Sequence, residues 1–285
     1  MQKKVLHKTY AHEFQMGSIR VKQPLPTHDL EQVSPFILLH HAGPMNIAPG
    51  SRKFRIDPHP HKGFEPVTLL FEGKLLHRDS IGNTGRLNAG DVQWMTAGRG
   101  IVHSEGPPDE FFTEGGTLEL IQLWINIPAK NKLSEPKYQD IPKHLFPKVL
   151  TEIKGLDLDL ITGDYEGKSG PASTFSKQLN FKGGCDELVN FSLKIPENYN
   201  SCVYVLSGEL LINGKQISAR ELSVFSIEGS ELVFECTQAA KFVVLSGLPI
   251  NEPMVSHGPF VMNTEEELRT AFAEYRSGKM GFLEE

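Results

Sequence analysis

Four residues of this sequence can converge on one ion. His59 and His61 stand two apart, as do His103 and Glu105. In an extended chain, side chains at i and i+2 share a face, roughly 6–7 Å apart. Two such pairs on facing strands bring three imidazoles and one carboxylate to a point. That donor set suits a first-row divalent metal such as iron, and an incomplete shell leaves room for substrate or oxygen. A lone histidine is more often a core or surface residue than a ligand. Two pairs at this spacing favour ligation, and the predicted metal residues are His59, His61, His103 and Glu105.

Strands are needed to present such pairs, and the sequence supplies them. The 285 residues are 39% apolar and 22% charged, with 26 Gly and 19 Pro, which favours short strands joined by turns over long helices. Phe64 to Gly73 reads as a strand closed by a turn glycine, and Lys74 to Asp79 as its return. Gly82 to Gly90 reads as a turn-rich connection. Asp91 to Thr96 and Thr117 to Ile127 read as further strands. Ala42 to Gly50 reads as a loop long enough to cover a barrel mouth.

A similar order recurs later. Val203 to Gly208 ends at a glycine, Glu209 to Ile212 returns, and Asn213-Gly214 is a two-residue hairpin signal. Aligning Gly73 with Gly208 gives an offset of 135 residues, so two duplicated β-barrels are expected. At that offset His59 and His61 fall on Lys194 and Pro196, and no histidine lies between His144 and His257. One metal site per chain follows. The expected division is a metal-binding barrel over 1–130, a linker over 131–150, a barrel without ligands over 151–250 and a tail over 251–285. In the tail, Thr264 and Glu267 form a capping-box pattern, with Leu268, Phe272 and Tyr275 at helical spacing and Gly278 as the stop.

Several classes are disfavoured. The net charge of −6 comes without a basic stripe, so direct nucleic-acid binding has little support. The first residues lack an apolar signal core, and no run of 18 apolar residues occurs, which argues against secretion and a membrane span. Cys185, Cys202 and Cys236 are odd in number with no CxxC spacing, and read as buried free thiols of a reducing, cytoplasmic compartment.

Longer motifs carry a family resemblance. HPHKGFEPVTLLFEG (59–73), HRDSIGN (77–83), GDVQWMTAGRGIVHSE (90–105) and HGPFVMN (257–263) resemble the pirin family of the cupin superfamily. Thr96 stands where generic cupins carry proline, which points toward pirins and away from other cupins. The resemblance implies an all-β bicupin: two tandem cupin (jelly-roll-like) β-barrels with a short C-terminal helix. It also implies mononuclear iron, Fe2+, in the first barrel on His59, His61, His103 and Glu105, although Mn, Ni, Cu, Zn and Co suit the same donors. The activity implied is a quercetin 2,3-dioxygenase reaction on a flavonol-like aromatic small molecule with O2, in which Glu105 is the expected catalytic base. The alternative is a non-catalytic, redox-sensitive iron-binding regulator with a protein partner. Glu65, the ligand position of generic cupins, is expected to be a supporting carboxylate here. His77 and Asp79 are expected to be hydrogen-bonded barrel residues, and Arg99 a salt-bridged scaffold residue.

Overall fold

Short apolar runs ending in glycine at positive φ fold the chain back on itself many times. The computed structural model describes residues 1–17 and 19–284, and its fold is all-β. Two compact units interleave along the chain. One comprises 14–21, 38–143 and 250–285, and the other 1–13, 22–37 and 144–249.

In the unit that holds the paired histidines, Phe64–Glu72 runs between Val92–Thr96 and Gly116–Asn126 in a seven-stranded sheet. It is buried through its first seven residues, so both faces of this strand are covered. Gly73, at φ +92°, turns the chain into Lys74–Asp79. That strand belongs to a four-stranded sheet ordered Ile56–His61, Ile101–Gly106, Lys74–Asp79, Thr84–Asn88.

Three segments differ from the sequence expectation. Within Gly82 to Gly90, residues Thr84–Asn88 form a strand: Gly85 and Leu87 turn inward while Thr84, Arg86 and Asn88 face solvent, a period of two hidden under turn-forming residue types. Within 131–150, Lys137–Ile141 pairs antiparallel with Val92–Thr96 as an edge strand. Ahead of it, Lys132 is buried, and its Nζ donates to the Gly63 and Val261 carbonyls and to Asn126 Oδ1 at 2.7–3.0 Å. Ala42 to Ile47 belongs to a long strand, Phe36–Ile47, so the expected lid is barrel wall. A short helix at Asp109–Glu114 buries Phe111 and Phe112.

The other unit repeats the strand order. A six-stranded sheet runs Val5–Tyr10, Glu221–Phe225, Asn200–Ser207, Ala240–Gly247, Asn180–Cys185, Leu156–Thr162. A four-stranded sheet runs Asn190–Lys194, Glu231–Cys236, Glu209–Ile212, Lys215–Ser218. Asn213 and Gly214, at φ 48° and 71°, close the Ile212–Lys215 hairpin. The interior is apolar: Phe191 stacks on Phe234 with centroids 4.5 Å apart, and Leu193, Leu232 and Phe242 pack around them. Here the cysteine expectation is overturned. Cys185 and Cys236, each the last residue of its strand, are joined in a disulfide across 51 residues. Only Cys202 stays a buried free thiol, pushed up to about 12 by burial. The cysteine-based argument for a reducing compartment falls with that pairing.

The tail helix forms as expected. Glu265–Arg276 starts at Thr264 with both capping-box hydrogen bonds and buries Leu268 and Ala271. No described helix is long and apolar enough to cross a membrane.

Candidate metal centre

The two histidine pairs meet because Ile56–His61 and Ile101–Gly106 are antiparallel neighbours, with His103 opposite His59 and Ile101 opposite His61. Directly opposed residues on one face are the closest cross-strand neighbours a sheet offers. The ring centroids of His59, His61 and His103 lie 4.3–4.9 Å apart, and one nitrogen from each falls within 4.8 Å of the others. His61 and His103 are buried, while His59 is partly open at the mouth.

Hydrogen bonding leaves one nitrogen of each ring available. His59 Nδ1 lies 2.8 Å from the Asp57 carbonyl and donates to it, so its Nε2 keeps the lone pair. The His61 ring donates to the Pro259 carbonyl, and its buried Nδ1 has no partner. His103 Nε2 is likewise buried without a partner. Burial holds the His61 and His103 imidazoles well below their usual range, reinforced by the neighbouring histidines. They are neutral at physiological pH and offer lone pairs. Unpaired buried nitrogens are costly in a native fold, and three imidazoles converging on one point fit a divalent metal ion.

Glu105 stands apart from this trio as its side chain lies. It is buried, and its Oε2 accepts from Gln93 Nε2 at 3.2 Å; Gln93 in turn contacts Thr68 Oγ1 at 3.1 Å. Burial raises its carboxyl above the usual range, opposed by the neighbouring His59 and His77 imidazoles and by the hydrogen bond from Gln93. Gln93 carried no signal in the sequence. Glu65 is fully buried, and its Oε1 accepts from Thr96 Oγ1 at 2.9 Å. Burial pushes it up to about 7. Arg99 pairs with Glu135 at 2.9 Å on the surface, a scaffold contact as expected.

A cavity of about 510 Å³ opens onto His59, His61 and Glu105. Its wall is apolar, with Ile19, Val21, Phe54, Leu118, Leu120 and Trp124 among the lining residues. Ala42 and Met45 line it from the strand read as a lid, while His41 between them points away and pairs with buried Glu119 at 3.3 Å. The wall was illegible in the sequence because its residues come from seven separate segments.

Two tandem β-barrels, one with a histidine cluster at the mouth of an apolar cavity, define a bicupin with a candidate metal site. Sequence profiles agree: the Pirin profile matches residues 18–125, and that of the Pirin C-terminal cupin domain matches 181–281. The chain belongs to the pirin family. It is 34% identical to human pirin over 270 residues, covering 92% of this chain and 88% of that protein. The tomato pirin-like protein is also 34% identical, over 274 residues, covering 92% and 87%. The crystal structure of quercetin 2,3-dioxygenase from Acinetobacter baumannii superposes with a TM-score of 0.94 at 36% identity, covering 99% of both chains.

Proposed function

We propose that this protein is a mononuclear metal-dependent dioxygenase acting on a flavonol-like aromatic molecule, with iron as its ion. The observation that carries the reading is the apolar cavity ending on the histidine cluster and Glu105. The quercetin 2,3-dioxygenase of Acinetobacter baumannii, 36% identical over almost the whole chain, supports it. His59, His61 and His103 hold the ion, with Glu105 as the fourth protein ligand.

A bound redox metal supplies Lewis-acid polarisation of an enol oxygen and an electron path to O2. The protein's own groups do the rest. Phe54, Leu118, Leu120 and Trp124 cover the faces of a flat ring system and exclude water. Glu105, which borders the cavity, accepts the proton of the substrate hydroxyl, and Gln93 steadies the carboxylate while it does so.

The test is O2 consumption by Fe2+-loaded protein with quercetin, beside His103→Ala and Glu105→Gln. Uptake matching substrate loss, abolished in His103→Ala, is expected. For Glu105→Gln the expected loss is about 10²–10⁴-fold, the range of general-base catalysis; an unchanged rate removes Glu105 as the base. No uptake by fully metallated protein rules out this substrate class and turns the search toward a regulatory partner.

A further inference from the structure

Beyond the cluster lies a chain of hydrogen bonds that no ligand assignment requires. His103 pairs across its strand with Asp79, and Glu105 with His77, so His77 and Asp79 lie directly behind the cluster. His103 Nδ1 lies 3.3 Å from His77 Nδ1, and His77 Nε2 lies 3.3 Å from Asp79 Oδ2. All three side chains are buried. The Asp79 carboxylate also accepts from the Ile81 and Asn83 backbone amides and from Asn83 Nδ2 at 2.8–3.1 Å, which fixes it as an acceptor only.

The acceptor at the far end sets the direction of this chain. An ionised carboxylate can only accept, so His77 Nε2 carries hydrogen and donates to Asp79. An imidazole whose one hydrogen sits on Nε2 has its lone pair on Nδ1, and there it accepts from His103 Nδ1–H. His103 is left with its lone pair on Nε2, the buried nitrogen without a protein partner. We infer that His77 and Asp79 are positioning residues, a relay that locks His103 in its Nδ1–H tautomer and keeps Nε2 ready as a metal donor. The inference rests on the metal reading above and extends it to residues that never touch the ion.

The ring of His77 is itself clamped. Tyr138 stacks on it with centroids 4.6 Å apart and planes at 20°. Tyr138 can lie there because residue 85, opposite His77, is glycine: a Cβ would fall 1.7 Å from the Tyr138 hydroxyl oxygen. Two strands and an edge strand thus hold one imidazole orientation, as outer partners of metal-bound histidines commonly do.

The experiment has two readouts. Long-range 1H–15N spectra of the imidazoles, on metal-free and Zn2+-loaded protein, report which nitrogen of His103 carries hydrogen. Zn2+ affinity, by competition with a chromophoric chelator, is compared among the parent, Asp79→Asn and His77→Phe. Expected are an Nδ1–H His103 in both parent forms and affinity about 10- to 100-fold lower in the variants. An Nε2–H His103 in the metal-free parent overturns the relay, as does parental affinity in both variants. An Nδ1–H His103 in a parent that binds no Zn2+ supports the relay and sinks the metal reading, so the two failures are distinguishable. If Asp79→Asn does not fold, the parent spectra still decide.

Discussion

Glu65 and Glu105 are both buried carboxylates in one barrel, and their hydrogen bonds give them different work. Glu105 borders the cavity and takes a hydrogen bond from Gln93; Glu65 is sealed behind the wall on Thr96. A carboxyl pushed up to about 7 has a defined effect on stability. Below pH 4.5 both folded and unfolded chains carry the proton, and Glu65 contributes no difference. Between 4.5 and 7 the folded state keeps a proton that the unfolded state has lost, so stability falls as pH rises, and the deficit is complete above 7. Glu65→Gln keeps an acceptor for Thr96 and cannot ionise. In chelator-treated protein it should flatten urea stability between pH 4.5 and 7 and gain up to about 3 kcal/mol at pH 8. A variant that follows the parental pH profile would show that Glu65 stays ionised in the fold.

At the scale of elements, the site depends on where strands end. The His61 strand stops at Lys62 and Gly63, where the tail docks: Val261 N donates to the Lys62 carbonyl at 3.0 Å, and Lys132 Nζ bridges the carbonyls of Gly63 and Val261. Gly63 has φ +84°, and a Cβ there would lie 2.0 Å from the Val261 carbonyl oxygen. Gly63→Ala must therefore push the tail away from the strand, and with it the Pro259 carbonyl that orients His61. A loss of at least about 2 kcal/mol in urea unfolding, together with weaker metal binding, is expected; unchanged metal affinity would show that the tail does not orient His61. The strands Phe64–Glu72 and Lys74–Asp79, joined at the turn glycine Gly73, were legible in the sequence, as was the i, i+2 presentation of the histidines. Thr84–Asn88 and Lys137–Ile141 were not, because turn-forming residues and a Pro/Lys-rich context masked edge strands whose burial is decided by partners far along the chain. The same reason hides Gln93 and Tyr138, which become site residues only through cross-strand placement.

Across the whole molecule, one strand order has been given two interiors. Where Ile56–His61 meets Ile101–Gly106 with histidines inward, Asn190–Lys194 meets Glu231–Cys236 with Phe191 opposite Phe234 and Leu193 opposite Leu232. The glycine alignment revealed the duplication, but the offset drifts as turns shorten, and only the structure shows which residues replace the ligands. Apolar rings in close contact stand in that interior where the histidines stand in the other, and its cross-link is covalent. Closing a loop of 51 residues by the Cys185–Cys236 disulfide stabilises that unit by about 4 kcal/mol in chain-entropy terms. Every hydrogen bond described for the histidine cluster and Glu105 lies within the other unit: Asp57, Pro259, His77 and Gln93 all belong to it. Replacing both cysteines by serine should therefore lower the unfolding midpoint of the disulfide-bearing unit. The metal dissociation constant should stay within about twofold, since a tenfold change would require about 1.4 kcal/mol of coupling. Calorimetry of the Cys185→Ser/Cys236→Ser protein, paired with chelator competition, separates the two effects. Loss of metal affinity in that protein would mean that the apolar barrel supports the metal-binding one and is more than a duplicated remnant.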